Sequence, residues 1–256
     1  MTSSGRFSGK RVLITGGSRG IGRACALAYA AEGATLALVY RGDEAAALAT
    51  QASLDGEGHS VVQADVGNPA EAASAVAEAA DRLGGLDILV NNAGTFTYHP
   101  LASTEFDRWV ADWNDTLATN LLGPAYLCHA AARLMIPQGS GKIICVSSRG
   151  AFRGEPDAPA YGASKAGLNA MSQSLAVALA PHGIFVAVVA PGFIETDMAA
   201  ESLAGPGGEA IRRQSPLGRV GRPDEVANAV LMLSADGIDF ATGAIVDVNG
   251  ASYLRS

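Results

Sequence analysis

Short apolar runs alternate with longer stretches of helical periodicity along nearly the whole chain. Arg11–Thr15 (RVLIT) is too brief for a helix and predicts a first strand. An alanine-rich helical stretch then runs to Glu32. The pattern next predicts a strand at Thr35–Tyr40, a helix at Asp43–Leu54, a strand at Ser60–Ala64 and a helix at Pro69–Leu83. Leu86–Val90 (LDILV) is continuously apolar, as expected of a strand covered on both faces. Thr95–Asp112 leads into a long helix over Trp113–Ile136, followed by a strand at Lys142–Ser147. A helix from Tyr161 to Ala180, with Pro159 at its start, precedes a strand at Ile184–Val189. Arg222–Leu233 is a further helix, opened by Pro223, and Ala244–Val248 is the last strand. Strands that alternate with helices specify an α/β fold with a doubly wound parallel sheet.

The length of 256 residues, 48% of them hydrophobic, suits one large domain. That domain is expected over residues 9–256, after a short polar tail at residues 1–8. No repeat or low-complexity linker marks a second one. Residues 194–215 hold Gly205-Pro206-Gly207-Gly208 among polar side chains, which reads as a mobile lid over a substrate; a plain surface loop is the other reading. The net charge is −7 and no Lys/Arg-rich block occurs, which argues against nucleic acid as a partner. No signal-peptide core and no run approaching about 18 apolar residues is present, so a cytoplasmic protein without a membrane partner is expected. Cys25, Cys128 and Cys145 lack metal-ligand spacing and read as buried thiols; no metal site is expected. His99 and His182 read as surface histidines.

Three stretches carry candidate chemistry. The first strand runs into Gly16-Gly17-Ser18-Arg19-Gly20-Ile21-Gly22 and then a helix. Strand, glycine turn and helix together make a pyrophosphate cradle, because the backbone can approach closely and the helix N-terminus offers free N–H groups. The second strand ends in Tyr40 and Arg41, with no carboxylate at its tip to accept from a ribose. Arg41 and Arg19 are either surface arginines or a clamp for a 2′-phosphate; their pairing at these positions favours NADP(H) over NAD(H). Asp65, followed by Val66, either accepts from an adenine amino group or caps a loop. Asn91-Asn92-Ala93-Gly94 at the fourth strand's end suits a structural turn and a cofactor wall alike. Finally, Tyr161 and Lys165 stand four apart on one helix face, where an ammonium and the helix dipole would lower the phenol's pKa from about 10.

Taken in order, these motifs, with Asn120, Ser148 and Pro191-Gly192, resemble the short-chain dehydrogenase/reductase family from about Gly9 to Ala251. Within it the chain is most similar to the 3-oxoacyl-carrier-protein reductases and related carbonyl reductases. The resemblance implies a seven-stranded Rossmann sheet, a nicotinamide cofactor and a homo-oligomer, dimer or tetramer. It implies that Ser148 bonds the substrate carbonyl, with Ser147 as the register alternative. It further implies that Tyr161 donates the proton, Lys165 lowers the tyrosine pKa and holds the nicotinamide ribose, and Asn120 helps hold a relay water. Gly16, Ser18, Gly20, Ile21, Gly22, Tyr40, Asn92, Ala93, Gly94, Pro191, Gly192, Ile194 and Thr196 are implied to contact the cofactor.

The expected activity is therefore reduction of a ketone or 3-oxoacyl group, a small-molecule substrate. The alternatives are an NAD-dependent secondary alcohol dehydrogenase and a non-catalytic NADP-binding regulator. Gly139 and His182 stand where carrier-protein reductases carry basic residues, which argues against carrier-protein docking. Arg149 and Arg153 either meet an acidic substrate or are loop charges paired with Glu155 and Asp157.

Overall fold

A computed structural model describes residues 5–255. Seven parallel strands form one sheet: β1 Arg11–Thr15, β2 Thr35–Tyr40, β3 Ser60–Gln63, β4 Ile88–Asn91, β5 Gly141–Val146, β6 Ile184–Pro191 and β7 Ile245–Val248. Their order is β3-β2-β1-β4-β5-β6-β7. The chain winds outward from β1 in one direction and then, from β4, in the other. The switch point between β1 and β4 leaves a crevice at the strands' carboxyl ends, the usual ligand position of such sheets.

The described residues hold ten α-helices: α1 Gly20–Ala31, α2 Glu44–Ala52, α3 Pro69–Leu83, α4 Phe106–Leu117, α5 Gly123–Gln138, α6 Gly150–Arg153, α7 Pro159–Leu179, α8 Asp197–Ala204, α9 Gly208–Arg212 and α10 Pro223–Ser234. Local sequence explains their limits. Asn68 accepts from the N–H groups of Ala70 and Glu71 at 3.0 and 3.3 Å, Pro69 opens α3, and Gly84 closes it in the left-handed region. Asp43 caps α2 by accepting from the Ala46 N–H.

Each sheet face has its own core. Leu13, Val39, Leu89, Ile143 and Val186 pack with α3, α5 and α7 on one side. Val12, Ile14, Leu36, Val90, Ile144 and Val189 pack with α1 and α10 on the other. Phe7, within the stretch read as a polar tail, is 1% exposed and packs edge-on against Tyr29 in this second core. Among the described residues no helix is long and apolar enough to cross a membrane.

The expected long helix differs in detail. It starts at Phe106 rather than Trp113 and is interrupted by a π turn at Ala118–Leu122. There the Gly123 N–H reaches the Ala118 carbonyl, and Pro124, without an N–H, cannot serve the Asn120 carbonyl as an α-helix would. The expected lid holds α8 and α9, and its Gly205-Pro206-Gly207 segment is the connection between them.

Candidate active site

The crevice opens into a cavity of about 750 Å³. Its walls include Gly16, Ser18, Arg19, Gly20, Ile21, Tyr40, Arg41, Asp65, Val66, Asn92, Ala93 and Gly94 on one side of the switch point. Ser148, Tyr161, Lys165, Pro191, Gly192, Ile194 and Thr196 line it from the other. Two expected site residues do not reach it. Gly22 sits behind the glycine turn, where a Cβ would fall 2.1 Å from the Gly16 carbonyl oxygen. Its missing side chain lets the turn pack closely. Asn120 is fully buried one layer back.

The glycine turn is stitched to the end of β4. Thr15 Oγ1 accepts from the N–H groups of Asn92 and Ala93, both at 3.0 Å. Asn92 Nδ2 donates to the carbonyls of Thr15 and Gly16 at 2.9 and 3.2 Å. The Asn91 amide turns inward and donates to Cys128 Sγ at 3.2 Å, so it is structural. Gly16 and Gly20 hold φ values of +63° and +54°, a region open to glycine at little cost. Arg19 ends the turn in extended conformation and its side chain does not cap α1. The first N–H groups of α1 therefore face the cavity free of a side-chain cap, a fit for a pyrophosphate.

At the β2 end of the cavity, Arg19 is exposed and Arg41 is loosely placed 3.9 Å from Asp65. Asp65 Oδ1 accepts from the Gly67 N–H at 2.9 Å, so it has the loop role while its carboxylate still lines the cavity. Thr196 precedes α8, with its hydroxyl 3.4 Å from the Ile194 carbonyl.

At the other end β5 and α7 bring the reactive groups together. Ser148 accepts from the Gly150 N–H at 3.0 Å, with its hydroxyl toward the Tyr161 phenol. Ser147 is buried and donates to the Lys165 carbonyl at 3.3 Å, so its hydroxyl is already engaged. Lys165 Nζ is buried, donates to the Val146 carbonyl at 2.9 Å and stands 5.8 Å from the Tyr161 ring centre. Burial pushes its pKa down to about 8. Phe96 meets the Tyr161 ring edge-on, 5.1 Å between centres.

The Tyr161 pKa departs from expectation. It lies above the ordinary phenol value, because burial disfavours the phenolate more than the Ser148 hydroxyl favours it, and Glu155 adds repulsion. The lysine is on the expected face, but burial depresses its own pKa, and the groups that move the phenol are its burial, Ser148 and Glu155. Glu155 escaped the sequence reading as a cavity residue. Its carboxyl is held above the usual range by burial, against the pull of Arg153 and Arg149. A lone glutamate in a loop gives no signal of this.

Two further expectations are corrected. His99 is fully buried, not superficial: Nδ1 faces the Thr97 carbonyl at 2.8 Å and Nε2 accepts from the Ala160 N–H at 3.3 Å, just before Tyr161. Arg149 is not a solvated loop charge; it is 4% exposed and makes no ion pair with Glu155 or Asp157.

Comparison with known proteins bears on this arrangement. A family model described as enoyl-(acyl carrier protein) reductase matches residues 16–251. The chain belongs to the short-chain dehydrogenase/reductase family. It is thus an oxidoreductase of a family acting on CH–OH or oxo groups. It is 39% identical to the 3-oxoacyl-(acyl-carrier-protein) reductase of Escherichia coli strain K12 over 249 residues, 97% of this chain and 99% of that protein. It is 36% identical to an L-rhamnose 1-dehydrogenase (NAD(P)(+)) of Sphingomonas sp. strain SKA58 over 253 residues, 97% of this chain and 98% of that one. Among solved structures, a short chain dehydrogenase from Burkholderia cenocepacia J2315 in complex with NADP superposes with a TM-score of 0.86. Their identity is 36%, and the match covers 96% of this chain and 99% of that one.

Proposed function

We propose that this short-chain dehydrogenase/reductase reduces a carbonyl to a secondary alcohol with NADP(H). The observation that carries the reading is the convergence of Ser148, Tyr161 and Lys165 on the wall of the cavity that also opens onto the glycine turn. The turn and the start of α1 would hold the pyrophosphate, and Arg19 and Arg41 a 2′-phosphate. Pro191, Gly192, Ile194 and Thr196 would flank the nicotinamide, with Lys165 at its ribose. When bound, the cofactor supplies the hydride.

The chain's own residues handle the proton. Ser148 donates its hydroxyl hydrogen to the substrate oxygen, and Tyr161 protonates the developing alkoxide. A phenol held above its ordinary pKa stays protonated at neutral pH, which suits the reductive direction. Asn120 extends the proton path through its backbone carbonyl, which Pro124 leaves without the usual helical donor. Leu134 on α5 and Val177 on α7 are exposed, and α7 also carries small residues such as Gly162 and Ala163, in keeping with pairing of these helices in a homo-oligomer. Single-turnover reduction of a ketone by Tyr161→Phe tests the reading. General acid catalysis contributes about 10²–10⁴-fold, so the rate should fall by at least about a hundredfold while NADPH still binds. A smaller loss removes Tyr161 as the proton donor.

A further inference from the structure

Arg149 is the residue after Ser148, and its side chain lines the same cavity. The backbone is anchored, with the Arg149 N–H donating to the Pro191 carbonyl at 2.8 Å. Its guanidinium is buried but has only neutral partners. Nη1 donates to Ser252 Oγ at 2.6 Å and Nη2 to Gln214 Oε1 at 2.5 Å. Arg153 draws on the same Gln214 oxygen at 3.3 Å, so two cations share one amide. The Nε–H of Arg149 has no acceptor among the described residues, and the guanidinium stacks 4.9 Å over the Phe193 ring.

Buried guanidinium groups are ordinarily matched by a carboxylate or phosphate, because an unmatched buried charge is costly. Here repulsion from Arg153 outweighs attraction from Glu155, and burial depresses the Arg149 pKa. A small second recess of about 140 Å³, whose lining includes Ser215, Asn249 and Ser252, shares Arg149 and Phe193 with the larger cavity. The cation thus lines both the cavity of the reacting centre and a recess with room for a small group, whose wall also carries Glu225 and Asp247.

Resting on the reductase reading above, we propose that Arg149 is the specificity residue of this site and binds the carboxylate of an oxo acid substrate. The planar guanidinium fork offers a carboxylate parallel N–H donors, and such charge-assisted bonds are strong and directional. The substrate class is then a carbonyl compound carrying a free carboxylate, not a neutral ketone or ester.

The test compares oxo acids with their methyl esters, using the full-length protein saturated with NADPH. The expected result is a kcat/KM at least about tenfold higher for the acid, in keeping with the weight of a charge-assisted bond. Arg149→Gln should bring the two within about threefold of each other, chiefly by raising KM for the acid. Equal or better use of the ester by the wild type overturns the proposal. So does an equal loss for acid and ester in Arg149→Gln, which would make Arg149 only a clasp for Gln214 and Ser252. Calorimetric titration of the NADPH-loaded protein with malonate is read alongside. If neither acid nor ester turns over, malonate binding that disappears in folded Arg149→Gln upholds the anion site while the reductase reading falls. Absence of malonate binding in the wild type then overturns both.

Discussion

Asn120 grips Thr95 from two directions: its Oδ1 accepts the Thr95 N–H at 2.8 Å, and its Nδ2 donates to the Thr95 carbonyl at 2.9 Å. Nδ2 also donates to Ser164 Oγ at 3.2 Å. The amide is thus spent on structure. It fixes the segment after Gly94 against the π turn and α7, beside Lys165. Asn120→Ala should strand both Thr95 groups. Each buried polar group left unpaired costs about 1–3 kcal/mol, and these are part-buried, so a loss of about 2 kcal/mol is expected by urea denaturation. An unchanged midpoint would mean that the amide carries no structural weight.

Gly22 should be intolerant of any side chain. A Cβ there would meet the Gly16 carbonyl oxygen at 2.1 Å and Asn92 Nδ2 at 2.6 Å, both within the stitch that shapes the turn. Overpacking typically costs about 1–3 kcal/mol, and here the strain falls on backbone that cannot move without opening the cradle. Gly22→Ala is expected to lower stability by at least about 2 kcal/mol and to weaken NADPH binding. Gly139, with φ of +67° and nothing near its missing Cβ, is the control. Gly139→Ala should cost only about 1 kcal/mol and leave cofactor affinity intact.

What the sequence made legible is what repeats or sits at a fixed spacing. The alternation of apolar runs and helical stretches placed a strand at each of the seven observed positions and called for a parallel sheet, though not for its strand order, and the strand–glycine–helix pattern placed the glycine turn at the cavity. Tyr161 and Lys165 were visible because four residues on a helix is one face. What stayed hidden depends on contacts distant in sequence. His99 is buried because Asp157, Ala160 and Trp109 surround it, the first two from about sixty residues away. The raised Tyr161 pKa reflects enclosure by Phe96 and the 155 loop, and spacing says nothing about enclosure. The π turn had one unread signal, Pro124 four residues after Asn120.

Lys165 should leave a signature in the pH dependence of stability. Below about pH 8 it is charged in both states, and folding carries the full cost of burying the ammonium. As pH rises toward the unfolded value of 10.5, the native lysine loses its proton while the unfolded one keeps it. The unfolded state then binds more protons, so this side chain's contribution rises with pH from about 8. Tyr161 acts oppositely, since its raised pKa makes stability fall above the ordinary value of 10.0. Between about pH 7.5 and 9.5, the stability advantage of Lys165→Met over wild type should shrink by about 1–2 kcal/mol in paired urea titrations. A gap that does not change with pH would mean that the ammonium is not buried at a cost.

Arg41 is the test of cofactor choice. It is 72% exposed in its side chain and its only charged partner, among the described residues, is Asp65 at 3.9 Å. It is therefore free to meet a phosphate, and so is Arg19 across the same end of the cavity. Exposure tempers the gain, because solvent and salt screen such pairs within about 10 Å at moderate ionic strength. Arg41→Ala should weaken NADPH binding about tenfold and NADH binding less than about twofold, and Arg19→Ala should act in the same direction. Raising the salt from about 0.05 to 0.5 M should erode the NADPH preference of the wild type more than that of Arg41→Ala. Calorimetry with both cofactors reads all of these together. If Arg41→Ala weakens NADPH and NADH binding equally, the arginine supports the β2–α2 loop and the 2′-phosphate is not what it recognises.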